Sequence, residues 1–316
     1  MIKLSFVIPC YGSENTITNV VNEIITTVEK QADYFYEIIL INDNSYDQVY
    51  DVIKELIKNN KCIKGINLSK NFGQHSALMS GFNYVTGDII VCLDDDGQTP
   101  ACEMFRLIDE INQGYDLVFA KYDSKKHGFI RNVGSKINDL MARYLIGKPK
   151  NLALMSYFAC RRYVIDETKK YKNSYPYVAG LLLRATNKIT NVPVHHRERE
   201  IGQSGYTMKK LLKLWFNGFT AFSVKPLRVA TLMGIICALL GFIFGGYTII
   251  NKFIHPDMPV GYASTISAII FIGGIIMMML GMIGEYVGRI YISINNSPQY
   301  VIRETINIEE NQGNQI

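Results

Sequence analysis

Up to about residue 120, the apolar positions switch repeatedly between two rhythms. From Leu4 to Pro9 the chain is apolar apart from Ser5, the pattern of a strand covered on both faces. Ile17, Val20, Val21, Ile24, Ile25 and Val28 then recur at helical spacing. The exchange repeats. Glu37–Ile41 predicts a strand, and Val49, Val52, Ile53, Leu56 and Ile57 predict a helix. Ile63–Leu68 predicts a strand, Ala77–Val85 a helix and Ile89–Leu93 a strand. Met104–Ile111 returns to helix and Asp116–Ala120 to strand. Such alternation predicts an α/β fold with a doubly wound, mostly parallel sheet. Ligands of such sheets bind outside the carboxyl ends of the strands.

The last third reads differently. Val229–Ile250 and Tyr262–Gly284 carry no charge. Each holds the ~20 apolar residues that cross a ~30 Å hydrocarbon layer. The join, Asn251–Gly261, contains Pro256, Pro259 and Gly261, which predicts a hairpin of two transmembrane helices. Lys209, Lys210, Lys213, Lys225 and Arg228 precede the first span, and Arg289 and Arg303 follow the second. The loop has Lys252 opposed by Asp257, so the positive-inside rule puts both termini in the cytosol. Just before the first span, Met208, Leu211, Leu212, Trp215, Phe219 and Phe222 share one helical face. Lys209, Lys213, Asn217 and Thr220 share the other, as in a helix lying in the lipid interface. Ile137–Leu145 is a weaker candidate of that kind. The expected division is a cytosolic catalytic domain at 1–204, an interface helix and linker at 205–228, the two spans within 229–288, and a cytosolic tail at 289–316.

Composition narrows the partners. With 48% hydrophobic and 19% charged residues, the 316-residue chain is neither disordered nor collagen-like. The net charge of +5 comes without a dense basic stripe, so nucleic acid is not expected as a partner. It suits anionic phosphates or an anionic membrane face. Cys10, Cys62, Cys92, Cys102, Cys160 and Cys237 are scattered and form no CxxC pair, which favours a reducing compartment over zinc or disulfides. The first apolar run, broken at Pro9, reads as a strand rather than a signal peptide.

Three turns at strand ends carry candidate chemistry. Asp94, Asp95 and Asp96, followed by Gly97 and Gln98, end the strand Ile89–Leu93. Adjacent carboxylates repel, so a cation or solvent must neutralise them. Hard oxygen ligands at a strand end suit Mg2+ or Mn2+ beside substrate phosphates, although Asp and Gly also favour plain solvated turns. Pro9-Cys-Tyr-Gly-Ser-Glu14 ends the first strand, where Tyr11 and Glu14 would meet a base or ribose, or Ser13 would cap a helix. Asn42-Asp43-Asn44-Ser45 ends the second and suits a ribose hydroxyl or a simple turn. No Rossmann or Walker glycine pattern is present.

Together, FVIPCYGSEN, INDNS, NFGQHSAL at Asn71–Leu78 and DDDGQTP at Asp94–Pro100 resemble the family 2 glycosyltransferases of GT-A fold. Arg131–Gly147, Arg199-Glu-Ile-Gly-Gln-Ser204, Phe222–Arg228 and Gly284-Glu-Tyr-Val-Gly-Arg289-Ile-Tyr resemble the polyprenyl-phosphate glycosyltransferases, relatives of dolichol-phosphate mannose synthase and bactoprenol glucosyltransferase. The resemblance implies that Pro9, Tyr11, Glu14 and Asp43 line a nucleoside pocket. It implies that Asp94 and Asp96 hold a divalent metal on the diphosphate of a UDP- or GDP-type sugar, with Gln98 beside the metal and sugar. Arg131, Ser135, Arg199, Ser204 and Lys210 would meet the phosphate of a polyprenyl acceptor. The implied activity is inverting transfer of one sugar to undecaprenyl phosphate at a bacterial inner membrane. Extension of a lipid-linked saccharide and a non-catalytic nucleotide-sugar scaffold are the alternatives. Gly241, Gly245 and Gly246 would let spans approach in a homo-oligomer.

The chain departs from the family pattern in two places. Asn42-Asp43 stands where relatives often have two acids, so only Asp43 is carried over. Ala153–Arg161 lacks the acid proposed as general base in many relatives. A phosphate acceptor, with a second pKa near 6, is already largely ionised at neutral pH and needs no base. His195 and His196 read as strand-end residues, and Glu285 as a partner of Arg289 one helical turn on.

Overall fold

The computed structural model describes residues 1–122, 143, 147–195, 197, 225–255, 261–295 and 297–308. Two compact units result, Met1–Gly205 with Asn296–Ile316, and Tyr206–Asn295.

In the first unit, β1 (Ile2–Cys10), β2 (Tyr34–Asn42), β3 (Ile63–Leu68) and β4 (Ile89–Cys92) alternate with α1 (Ile17–Val28), α2 (Val49–Asn59) and α3 (Gln74–Phe82). After α4 (Met104–Asn112) come β5 (Leu117–Tyr122), β6 (Phe158–Arg161), α5 (Arg162–Thr168), α6 (Val178–Ala185) and β7 (Ile189–Val194). Helices α1 and α4 bury the stripes their spacing predicts: α1 buries Ile17, Val20, Val21, Ile24 and Val28, and α4 buries Met104, Leu107, Ile108 and Ile111. The third helix differs from its prediction, beginning at Gln74 and burying every residue from Ser76 to Phe82. It lies so close to the sheet that a Cβ on Gly81 would stand 2.8 Å from both Ile41 Cδ1 and Val7 Cγ1.

Among the described residues the sheet has eight strands, in the order β7-β5-β6-β4-β1-β2-β3-β8, where β8 is Ile302–Ile306. The pairs β1–β2, β1–β4, β2–β3 and β5–β7 are parallel, as βα alternation requires. The sheet is nevertheless mixed: these four pairs are parallel, as the majority was expected to be, and three further pairs among the described residues are antiparallel. Strand β6 inserts antiparallel between β4 and β5. It has only four residues and leads straight into α5, too short to leave a period. The expected C-terminal tail also enters the sheet. Its residues Ile302–Ile306 form β8, antiparallel to β3 at the edge. The core between sheet and helices is built from Phe6, Ile8, Ile38, Leu40, Val91 and Tyr157 among others, all buried. All six cysteines are free.

The second unit contains two long helices, α7 (Lys225–Ile254) and α8 (Tyr262–Ile294). At 1.5 Å per residue they extend about 45 and 50 Å. Gly234 on α7 faces Met279 on α8. Among the described residues, Phe271–Ile292 is the one stretch long and apolar enough to cross a membrane, and Gly234–Tyr247 is a shorter apolar stretch. The expected interface helix at 206–222 lies outside the described residues, as does Ile137–Leu145 apart from Arg143.

Candidate active site

Sheet order brings the carboxyl ends of β4, β1, β2 and β3 side by side. The three predicted turns therefore lie along one edge, cross-linked to one another. The middle acid of the triplet faces inward. Asp95 Oδ2 accepts the Tyr11 backbone N–H at 2.9 Å, and the Asp95 carbonyl accepts the Thr16 hydroxyl at 2.6 Å. Burial, reinforced by the like charge of Asp94, pushes the Asp95 carboxyl up to about 6, with the Ser13 hydroxyl and the Tyr11 N–H opposing the shift. Asp95 thus ties the turn after β1 to the turn after β4.

The flanking acids take other partners. Asp94 Oδ1 accepts Gln74 Nε2 at 2.9 Å, and Asp94 Oδ2 accepts the Ser156 hydroxyl. Asp96 Oδ1 accepts the Gln98 backbone N–H at 3.0 Å, closing a tight turn through Gly97. Tyr122, at the end of β5, has its phenol held above its ordinary range by burial and then by Asp94 and Asp96, so it stays protonated beside them. Gln74, Tyr122 and Ser156 are members of this cluster that sequence reasoning missed. Gln74 lies inside NFGQHSAL, and Ser156 lies inside the stretch where relatives carry an acid, so both had a signal. Tyr122 had none. Asn191 holds the Ser156 segment in place: its Oδ1 accepts the Ala153 N–H at 2.7 Å and its Nδ2 donates to the Ala153 carbonyl at 2.9 Å.

The predicted nucleoside residues divide into exposed and built-in groups. Tyr11 is exposed, edge-on to Tyr46 with ring centroids 5.5 Å apart. Pro9 is buried in β1 opposite Ile41. Asp43 is buried, and its two oxygens accept the Phe72 and Gly73 N–H groups at 2.7 and 2.8 Å. Gly73 has φ +88°, a conformation open to glycine at little cost. Burial raises the Asp43 carboxyl above its usual range, and these two donors oppose the shift. Glu14 and the turn after β2 are reciprocally bonded. Gln48 N–H donates to Glu14 Oε2 and Glu14 N–H donates to Asp47 Oδ2, both at 2.9 Å. Ser45 Oγ accepts the Gly12 N–H at 2.7 Å. Tyr11, Glu14 and Asp43 therefore stand on neighbouring, mutually braced turns.

Arg131, Ser135, Arg199, Ser204 and Lys210 lie outside the described residues. The chain does reach the acidic turn two residues before Arg199. Arg197 N–H donates to the Gln98 carbonyl at 3.2 Å, and its guanidinium holds Glu23 at 2.7 and 2.9 Å.

The donor set fits a hard divalent cation held by Asp94 and Asp96 together with phosphate oxygens of a ligand. It does not form a cage on its own, because among the described residues no three His, Cys, Asp or Glu side chains converge for that purpose. Mg2+ and Mn2+ suit such open, oxygen-only sites.

The model of the family described as glycosyl transferase family 2 matches residues 5–169, more than half of the chain. The chain belongs to glycosyl transferase family 2. A second family model, the GtrB C-terminal hairpin, matches residues 225–290 of this glycosyltransferase. The undecaprenyl-phosphate 4-deoxy-4-formamido-L-arabinose transferase of Yersinia pestis (strain Pestoides F) is 32% identical over 319 residues, covering 99% of this chain and 96% of the relative. Its namesake from Yersinia pseudotuberculosis serotype O:3 (strain YPIII) gives the same values. Among solved structures, mannosyl-3-phosphoglycerate synthase from Rubrobacter xylanophilus has a TM-score of 0.51 at 14% identity, covering 68% of this chain and 71% of its own. Glucosyl-3-phosphoglycerate synthase from Mycobacterium tuberculosis, in complex with Mn2+, UDP-glucose and phosphoglyceric acid, has a TM-score of 0.50 at 18% identity, covering 74% and 79%. These two share the fold of the glycosyltransferase, a GT-A-like mixed α/β sheet.

Proposed function

We propose that this glycosyltransferase moves one sugar from a cytosolic nucleoside-diphosphate sugar, of UDP or GDP type, to undecaprenyl phosphate. The observation that carries the reading is the end-to-end match, hairpin included, to relatives named for transfer to undecaprenyl phosphate. In this reading α7 and α8 cross a bacterial inner membrane as a hairpin, with the sheet domain and both termini on the cytosolic side. The acceptor keeps its chain in the bilayer and offers its phosphate at the surface. Gly241, Gly245 and Gly246, where an added Cβ would meet nothing within 4 Å, leave α7 room for the helix of a second copy.

Asp94 and Asp96 would hold Mg2+ or Mn2+, which when bound neutralises the diphosphate as it departs. Asp95 fixes the turn that presents them. Tyr11, Glu14 and Asp43 set the nucleoside end, with Pro9 beneath, and Gln98 lies beside the sugar. Arg131, Ser135, Arg199, Ser204 and Lys210 grip the acceptor phosphate, for which Arg offers bidentate hydrogen bonds. An oxygen of that phosphate forms a bond to the anomeric carbon while the bond to the donor's phosphate oxygen breaks, and the electron pair leaves with the nucleoside diphosphate. Attack opposite the leaving group inverts the centre. The acceptor enters largely ionised, which agrees with a hydroxyl, Ser156, in a stretch where many relatives have an acid.

The test is to supply membranes containing the full chain with undecaprenyl phosphate and a panel of labelled nucleoside-diphosphate sugars. The expected product is a lipid whose sugar is released by mild acid, as a glycosyl phosphate is. An acid-resistant product would instead mean extension of a lipid-linked saccharide, and donor binding without turnover would mean a scaffold.

A further inference from the structure

The C-terminal strand contributes to the site from the far edge of the sheet. Cys10, Asn42, Asn67 and Glu304 are successive register partners across β1, β2, β3 and β8. The last three are joined through their side chains. Glu304 Oε1 accepts Asn67 Nδ2 at 3.1 Å, and Asn67 Oδ1 accepts Asn42 Nδ2 at 2.8 Å. Asn42 Oδ1 in turn accepts the Ser45 backbone N–H at 3.0 Å. Ser45 Oγ then reaches the turn after β1, taking the Gly12 N–H at 2.7 Å, and donates within its own turn to Asp47 Oδ1 at 2.5 Å.

This row has a direction. A carboxylate only accepts, whereas a carboxamide accepts at one end and donates at the other. Glu304 therefore draws the NH2 end of Asn67 outward, and the Asn67 carbonyl faces Asn42. That draws the NH2 end of Asn42 outward too, leaving its carbonyl for Ser45 N–H. Asn42 and Asn67 are buried, so a reversed amide there could not turn to water instead. We propose that Glu304 and Asn67 are positioning residues for the donor nucleotide: the carboxylate on β8 sets the polarity of the amide row that holds the 42–45 turn against the turn after β1. The proposal rests on the reading that these two turns receive the nucleoside diphosphate.

Polarity makes a distinctive test. E304K puts a donor where the row needs an acceptor. Asn67 then reverses, Asn42 follows, and an NH2 meets the Ser45 N–H. N67D added to E304K restores the order, because the introduced carboxylate accepts both from the introduced ammonium and from Asn42. The full chain in detergent or nanodiscs is titrated with UDP and with GDP, each with Mn2+, and assayed for donor KM and kcat. E304K is expected to weaken binding about tenfold, the weight of roughly one hydrogen bond. Donor KM should rise in parallel, kcat should stay within about twofold, and the double variant should return to within about threefold. E304Q, whose amide can present either end, should fall between. Thermal midpoints of all variants are followed alongside. Binding by E304K equal to that of the unaltered chain, or no recovery in the double variant, overturns the relay alone. If the unaltered chain binds neither UDP nor GDP, the donor-site reading fails and takes the relay with it.

Discussion

The two ends of one sheet each bury a carboxylate, and they treat it in opposite ways. Towards the amino ends of the strands, Glu37 on β2 accepts Ser5 Oγ at 2.5 Å, Thr86 N–H at 2.6 Å, Thr86 Oγ1 at 2.9 Å and Lys64 Nζ at 2.8 Å. Lys3 Nζ adds a second cation at 3.5 Å. Burial alone would raise this carboxyl, but Lys64 and the hydroxyl and amide donors more than offset it and hold it at about 2. At the carboxyl ends, Asp95 is partly buried beside the like charge of Asp94 and is pushed the other way, to about 6. Asp43 is also raised. The first cluster is complete within the chain and clamps β1, β2, β3 and the loop before β4 together. The second concentrates negative charge where ligands of such sheets bind. A charge cost retained at a strand-end turn is the physical signature of a site arranged for something that arrives.

The comparison breaks first if the outer acids prove dispensable. D94N or D96A is expected to lower sugar transfer by roughly a thousandfold, since in the proposed reading each would remove a ligand from a cation that stabilises the leaving group. The thermal midpoint should move little, because these acids cost the fold repulsion. Transfer within a few-fold of the unaltered chain would refute the role given to them.

Next is E37Q, which leaves Lys64 and Lys3 facing a neutral group. The expected loss is about 2 kcal/mol of stability in chemical denaturation, with transfer per folded molecule unchanged. The same carboxylate fixes an acid response. Its folded-state pKa lies at about 2, below the ordinary glutamate value of 4.5, so the stability it contributes is present above pH ~4.5. That contribution is lost as pH falls from ~4.5 towards 2. Denaturation midpoints should drop across that window in the unaltered chain, and E37Q should show a shallower slope. Parallel slopes would contradict the account.

The smallest effect is at Ser156. S156A removes one hydrogen bond to Asp94, so transfer should fall about three- to tenfold, mainly in kcat, with stability within about 1 kcal/mol. An unchanged rate would mean that Asp94 does not need this hydroxyl to hold its orientation.

How much was legible follows the strength of each local pattern. The units from β1 to α4 were readable because β-covered runs and helical stripes alternate over many residues, and α1 and α4 bury the predicted side chains. Strands β6 and β8 were not. FACR is a four-residue run, and IRETI sets two adjacent exposed charges between partly covered residues at a sheet edge, so neither looks like the buried strands before it. The acidic triplet located the site but not its division of labour. Three identical residues in a row do not announce that the middle one turns inward to bond Tyr11. Tyr122 is a hydroxyl residue whose meaning comes only from strands distant in sequence meeting at Asp94. Glu304 is 237 residues from its partner Asn67, beyond any local reading.

The most direct trial of the central claim follows the metal. Full chain in membranes, undecaprenyl phosphate and the donor identified by the panel are assayed before and after chelation, then with Mg2+ or Mn2+ restored. The account predicts that transfer disappears with the chelator, returns with the cation, and fails to return in D96A. Transfer that persists under exhaustive chelation, or returns in full in D96A, would contradict it.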